Sequence, residues 1–156
     1  MKFFKKILAY IVFDIPRNYI LRLGFQHYYR HHIDGPEDRL IIKGCYKDKY
    51  PFVNTIFNTG SGKITIEEGC IFGHNVMLLT GKHNYEAKDS EILKNDVVQN
   101  RDIYISEGTW IASGAVIMGN VTIGKGCVIA AGAIVTKSVP DHCFVAGTPA
   151  TVIKRF

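Results

Sequence analysis

From Ile105 to Val135 an aliphatic residue stands at every sixth position: Ile105, Ile111, Ile117, Ile123, Ile129 and Val135. Four places after each comes a small or medium residue: Thr109, Ala115, Val121, Cys127, Ala133 and Val139. Helical apolar patterns recur at three and four residues and strands alternate at two, so neither gives a strict six. A chain of short strands coiled into a solenoid does. Three hexads close a triangular coil of 18 residues, the step from Ile105 to Ile123, with the aliphatic side chains stacked inside it. Ile66, Phe72 and Leu78 carry a shorter stretch of the same ladder.

Composition agrees with one such body. The 156 residues are enough for a single core, and 47% hydrophobic against 21% charged reads as globular. Fifteen glycines suit a fold of many tight corners, where positive φ recurs. The net charge of +5 fits an anionic small ligand such as a phosphorylated cofactor, or an anionic membrane surface. Nucleic acid is a poorer partner, because no basic run is interleaved with aromatics. Cys45, Cys70, Cys127 and Cys143 form no C-x-x-C pair; Cys70 and Cys127 fall in the small inward slot, so reduced, buried thiols in a cytoplasmic protein are expected.

The N-terminus, MKFFKKILAYIVFD, pairs lysines with an apolar run. It lacks a small-x-small cleavage site and is far too short to span a bilayer. It reads as an amphipathic helix that either packs on the body or lies at a membrane surface. Residues 1–40 are expected to be helical or irregular. His27 and His31 share a helix face there, but no third ligand completes a metal site. A β-helix is expected over 41–140 and a capping tail over 141–156. The hexad fails after Leu78, and Leu78 to Ile105 is 27 residues, not a multiple of six. A charged loop, about 84–104, therefore leaves the solenoid and returns, and long loops on repeat scaffolds usually carry function.

The strings I-G-x-G-x-x-I-x-A-G-A-x-V-T-K-x-V-P and V-A-G-x-P-A-x-V-I-K, over roughly residues 52–156, resemble the left-handed β-helix (hexapeptide-repeat) acyltransferases. Within these, the chain is most similar to the galactoside, maltose and surface-polysaccharide O-acetyltransferases. The resemblance implies an all-β, left-handed parallel β-helix, an exception to the usual right-handed crossover. It also implies a homotrimer, acetyl-CoA as co-substrate in a cleft between neighbouring solenoids, no metal, and a sugar or glycan acceptor near the extruded loop.

Site residues follow from the same resemblance. His83, in T-G-K-H-N-Y, matches the histidine that removes the proton of the acceptor hydroxyl as it attacks the thioester, a role typically worth 10²–10⁴-fold. Asn84-Tyr85 stands where proline is common in the family, so Tyr85 is expected to help set the acceptor's path. Asn58 resembles an acceptor-side asparagine. Trp110, Ser113 and Ala131 match positions along the coenzyme cleft, and a trimer contact is the other reading of Trp110. Thr136 and Lys137 match a pair at the coenzyme phosphates, with Lys154 adding charge nearby. Thr151 departs from a frequently basic position.

The expected activity is therefore direct O-acetylation of a sugar hydroxyl in surface-polysaccharide or glycan assembly, in the cytoplasm or at the inner face of the membrane. The alternatives are N-acetylation of an amino sugar and a non-catalytic scaffold. A zinc carbonic anhydrase of the same fold would need three histidines that His74, His83 and His142 do not match in spacing.

Overall fold

The structure, a computed structural model, describes residues 31–44, 52–84 and 97–156. The expected N-terminal helix, His27, Cys45, Tyr85 and most of the charged loop lie outside the described residues.

The chain winds through three sheets in rotation. The first holds β1 (His32–Asp34), β3 (Ile56–Asn58), β6 (Met77–Leu79), β9 (Val116–Met118) and β12 (Ile134–Val135). The second holds β2 (Leu40–Ile42), β4 (Ile64–Ile66), β7 (Ile103–Ile105) and β10 (Val121–Ile123). The third holds β5 (Ile71–Phe72), β8 (Trp110–Ile111), β11 (Val128–Ile129), β13 (Cys143–Gly147) and β14 (Ala150–Arg155). All pairs are parallel except β13 with β14. The result is a triangular parallel β-helix, as the hexads require.

The ladder is the core. Ile105, Ile111, Ile117, Ile123, Ile129 and Val135 are all buried, and so are Thr109, Ala115, Val121, Cys127, Ala133 and Val139. Burying each large aliphatic side chain stabilises by about 1.5–3 kcal/mol. The polar members of the small slot are satisfied on the spot: Thr109 Oγ1 donates to Gly124 O at 3.0 Å, and Cys127 Sγ to Pro140 O at 3.0 Å. Two corners turn through left-handed residues stacked coil upon coil, Gly69, Gly108, Gly126 and His142 at one and Asn75, Gly114 and Gly132 at the other.

Register measures where the repeat is regular. Ile105 pairs with Ile123, an uninterrupted step of 18. Ile66 pairs with Ile105, a step of 39, so the charged excursion adds 21 residues to one coil without shifting its faces. Pairing reaches back to His32, which lies beside Ile56, earlier than the boundary expected near residue 40. The segment read as helical or irregular thus contributes a strand, because Ile33 sits above Phe57 in the apolar interior.

The other difference is at the far end. Ile123 bridges Val139 and Ile129 pairs with Val145, steps of 16, so the coil expected to end at 140 closes two residues early after Val135. Part of the expected tail is consequently a rung: β13 lies on β11, and only β14 folds back beside it after the cis Thr148–Pro149 bond. No helix among the described residues is long and apolar enough to cross a membrane.

Candidate functional site

His83 stands at the neck of the excursion. The chain leaves the first sheet after β6, and Thr80, buried, donates its hydroxyl to Asn58 O at 2.8 Å. Gly81 N–H donates to Asn58 Oδ1 at 2.8 Å, and Lys82 N–H reaches Ser61 Oγ at 3.3 Å. His83 then bridges Val97 in antiparallel fashion, while Val98 N–H donates to Lys82 O at 2.9 Å. Outgoing and returning limbs thus form a short two-stranded stem. The imidazole on it is exposed to solvent.

The rotation of sheets fixes what else shares this edge. The stem rises from the corner between the first and second sheets. Two coils further on, the same corner carries Thr136 and Lys137, both exposed, with Ser138 Oγ accepting from Thr122 N–H at 3.0 Å. Asn58 lies at the base of the column. Its amide is engaged within the protein: Nδ2 donates to Asp34 Oδ2 at 2.7 Å while Oδ1 accepts from Gly81. The side chain expected to meet the acceptor therefore holds the limb that leads to His83.

The remaining expected residues lie elsewhere on the prism. Ser113 and Ala131 are stacked turns at the corner between the third and first sheets, where Gly132 N–H donates to Ser113 O at 3.0 Å. Ser113 Oγ also accepts from His74 N–H at 3.1 Å. Trp110 is on the outer face of the third sheet, 49% exposed, in line with Ile71, Val128 and Phe144. Lys154 pairs with Phe144 on β14, and its ammonium lies 5.5 Å from the Phe156 ring centroid. The corner that carries His83 is opposite the third sheet, so one chain does not bring His83 together with Trp110 and Lys154.

Sequence reasoning missed Arg101 and Asp102, which return the excursion to the coil. Asp102 Oδ1 accepts from Lys63 N–H at 2.8 Å, and the Arg101 guanidinium donates to Thr80 O at 3.1 Å and Gly119 O at 2.9 Å. Their place next to β7 is the only signal the sequence offers. On the outer face of the second sheet Glu67 accepts from the Tyr104 hydroxyl at 2.6 Å and pairs with Lys43 at 2.9 Å. The Tyr104 hydroxyl first, and then Lys43, hold its carboxyl below the ordinary carboxylate range. Among the described residues no three His, Cys, Asp or Glu side chains converge as metal ligands would.

Comparison with known proteins agrees with this architecture. Residues 102–137 match the family described as bacterial transferase hexapeptide (six repeats). The galactoside O-acetyltransferase of Lactococcus lactis subsp. lactis (strain IL1403) is 35% identical over 85 residues, 54% of this chain and 40% of that protein. The galactoside O-acetyltransferase of Escherichia coli (strain K12) is 37% identical over 92 residues, 59% of this chain and 44% of that protein. The chain thus spans less than half the length of these curated relatives. A solved galactoside acetyltransferase in complex with coenzyme A superposes with a TM-score of 0.58 at 28% identity, over 80% of this chain and 64% of that one. The fold is the left-handed parallel β-helix, and residues 102–137 carry the hexapeptide repeat of bacterial transferases.

Proposed function

We propose that this chain is an acetyl-CoA-dependent acetyltransferase that acylates a sugar hydroxyl, with His83 as general base. The observation that carries the reading is the exposed His83 at the neck of the excursion, on the same corner as Thr136 and Lys137. The galactoside O-acetyltransferase relatives favour a sugar acceptor. A sugar hydroxyl is scarcely ionised near neutral pH, so attack on a thioester needs its proton removed as the bond forms. Neutral His83 takes that proton and returns it to the departing thiolate, and transfer is direct, with no acyl-enzyme. Acetyl-CoA supplies the activated acyl group. Lys137 and Thr136, exposed on one edge, and Lys154 on another suit its phosphates, while exposed Trp110 and the stacked turns of Ser113 and Ala131 suit its pantetheine arm. Tyr85 and Asn58 belong to the acceptor side, Asn58 acting through Gly81.

Because His83 and the third sheet lie on opposite sides of one coil, a site using both is built from two copies, which fits a homotrimer. The outward rows of the first sheet (Ile56, Met77, Val116, Ile134) and of the third (Ile71, Trp110, Val128, Phe144) are apolar and suit packing between copies. The basic, apolar N-terminus would bring the assembly to lipid-linked or nucleotide-linked glycans at a membrane's inner face.

Acetyl transfer from acetyl-CoA should be measured against galactosides, maltose, nucleotide sugars and amino sugars, with correction for hydrolysis. His83→Ala should lower turnover by about a hundredfold or more. Turnover on amino sugars that barely depends on His83 would move the reading to N-acetylation. Failure of all acceptors, with no coenzyme A binding, would remove the enzymatic reading. Co-refolding His83→Ala with Trp110→Ala should restore part of the activity if the site is shared between copies; no recovery would place both residues' roles within one chain.

A further inference from the structure

The excursion that carries His83 leaves and rejoins the coil through two limbs, and these cross the corner at Thr80 and at Arg101. His83 lies three residues beyond Thr80, so a small rotation at this root displaces the imidazole. The outgoing limb is held from below by Asn58, whose amide is itself oriented by Asp34. The return limb is held by Arg101 N–H donating to Ser61 O at 3.0 Å. The Arg101 side chain ties these limbs to one another and to the next coil, through Nε to Thr80 O at 3.1 Å and Nη2 to Gly119 O at 2.9 Å.

We propose that Arg101 is a positioning residue for the general base: its guanidinium clamps the root of the excursion and sets where His83 stands. The proposal rests on the reading of His83 as base. Three features of the residue fit the task. A guanidinium is planar with donors in a fixed fork, so two carbonyls from different coils are held in one orientation; an ammonium is a point charge with no such fork. Thr80 and Gly119 are buried, so neither carbonyl can readily turn to bulk water when the guanidinium is removed. The backbone of Arg101 also lies against two glycines, since a Cβ on Gly62 would come within 2.5 Å of Arg101 C and one on Gly119 within 2.9 Å of Arg101 O. The coil has thus left a groove of backbone width at this crossing, and the side chain closes it from the outside.

The test compares wild type with Arg101→Ala, Arg101→Lys and His83→Ala, using hydrogen exchange of the full protein without substrate and transfer from acetyl-CoA to methyl β-galactoside. Arg101→Ala should speed exchange of the Gly81 and Val98 amides about tenfold or more while those of residues 103–135 keep their protection. It should lower kcat about tenfold to a hundredfold with the KM for acetyl-CoA within about twofold, the pattern of a displaced base rather than a lost binding contact. Arg101→Lys should fall between, and millimolar guanidinium ion should restore part of the Arg101→Ala activity. Stem amides that exchange as in wild type would overturn the proposal, as would an opened stem with unchanged kcat while His83→Ala is inactive. Loss of protection throughout the solenoid in both Arg101 variants would also overturn it, because Arg101 would then be a general staple. Full activity in His83→Ala would instead sink the reading of the base, and the exchange result would stand apart from it.

Discussion

Gly62→Ala puts the crossing of the return limb to a direct test. Gly62 is buried, and a Cβ built on it would lie 2.5 Å from Arg101 C, 2.7 Å from Arg101 O and 2.8 Å from Asp102 N. Carbon atoms pack at about 3.5–4.0 Å, so the limb has to move outward by about 1 Å. The neighbours are backbone and cannot rotate away. Arg101 N–Ser61 O at 3.0 Å, Ile103 N–Lys63 O at 2.8 Å and Lys63 N–Asp102 Oδ1 at 2.8 Å all stretch as it moves. Overpacking of this kind costs about 1–3 kcal/mol. The smaller backbone entropy of alanine in the unfolded chain returns about 0.4–1 kcal/mol. A net loss of about 1–2 kcal/mol is expected in equilibrium urea unfolding at fixed protein concentration.

The functional loss should be larger than that figure suggests. The return limb pairs with the His83 limb through Val97 and Val98, so a shift of about 1 Å is passed to the imidazole, and misplacement on that scale can cost about 10²-fold in turnover. Gly108→Ala is the matched control. A Cβ at Gly108 meets nothing within 4 Å, but φ is +66°, so it should cost about 1–2 kcal/mol through left-handed strain and leave kcat as it was. Equal turnover in the two variants would refute the argument that the crossing at Gly62 sets the position of His83.

Ile117 is fully buried between Leu78 and Val135, so Ile117→Ala should cost about 2–5 kcal/mol and Ile117→Val about 0.5–1.5 kcal/mol in the same unfolding assay. A loss under about 1 kcal/mol for the alanine variant would mean the ladder is not the main source of stability. Glu67 has its carboxyl held below the ordinary 4.5 by the Tyr104 hydroxyl and then by Lys43. Its contribution is present above that unfolded value and is lost as pH falls through the lower folded value, so Glu67→Gln should flatten the acid limb of the stability profile. Superposable acid limbs for Glu67→Gln and wild type would refute the link.

The sixfold ladder was readable because its signal is local and redundant: each of Ile105, Ile111, Ile117, Ile123 and Ile129 repeats the one before it. The strand at His32–Asp34 was not, since H-I-D-G has one aliphatic residue and its partner, Ile56–Asn58, lies a step of 24 away. Val139 shows a subtler failure. It continues the ladder in number, yet it bridges Ile123 and not Val121, because the corner after Val135 is two residues short and the sequence carries no mark of that. His83 was legible through the string around it and the place where the hexads stop. The bonds of Asn58 to Asp34 and Gly81 were not legible, because these residues reach it only once two coils have stacked. Arg101 looked like any other charge of the excursion, because its guanidinium fork gains meaning only once Thr80 and Gly119 are brought within its reach.

A coil of equivalent rungs is a poor place to build a single site. Each rung is fixed by its two neighbours and presents much the same surface as they do, so the faces repeat and chemistry placed on one would recur on the next. The 21 added residues between Ile66 and Ile105 break that equivalence at one corner, and His83, the proposed base, stands at the neck of that break. The break also interrupts the support that rungs give each other, since His83 and Val97 at its neck pair with each other outside the three sheets. The molecule replaces that support at the root, with Gly62 and Gly119 making room for the crossing, Asp102 holding Lys63, and Arg101 spanning Thr80 and Gly119. Precision at His83 is therefore borrowed from the regular coils on either side, and substitutions in those coils near residue 62 or 119 should disturb it as surely as changes beside the histidine.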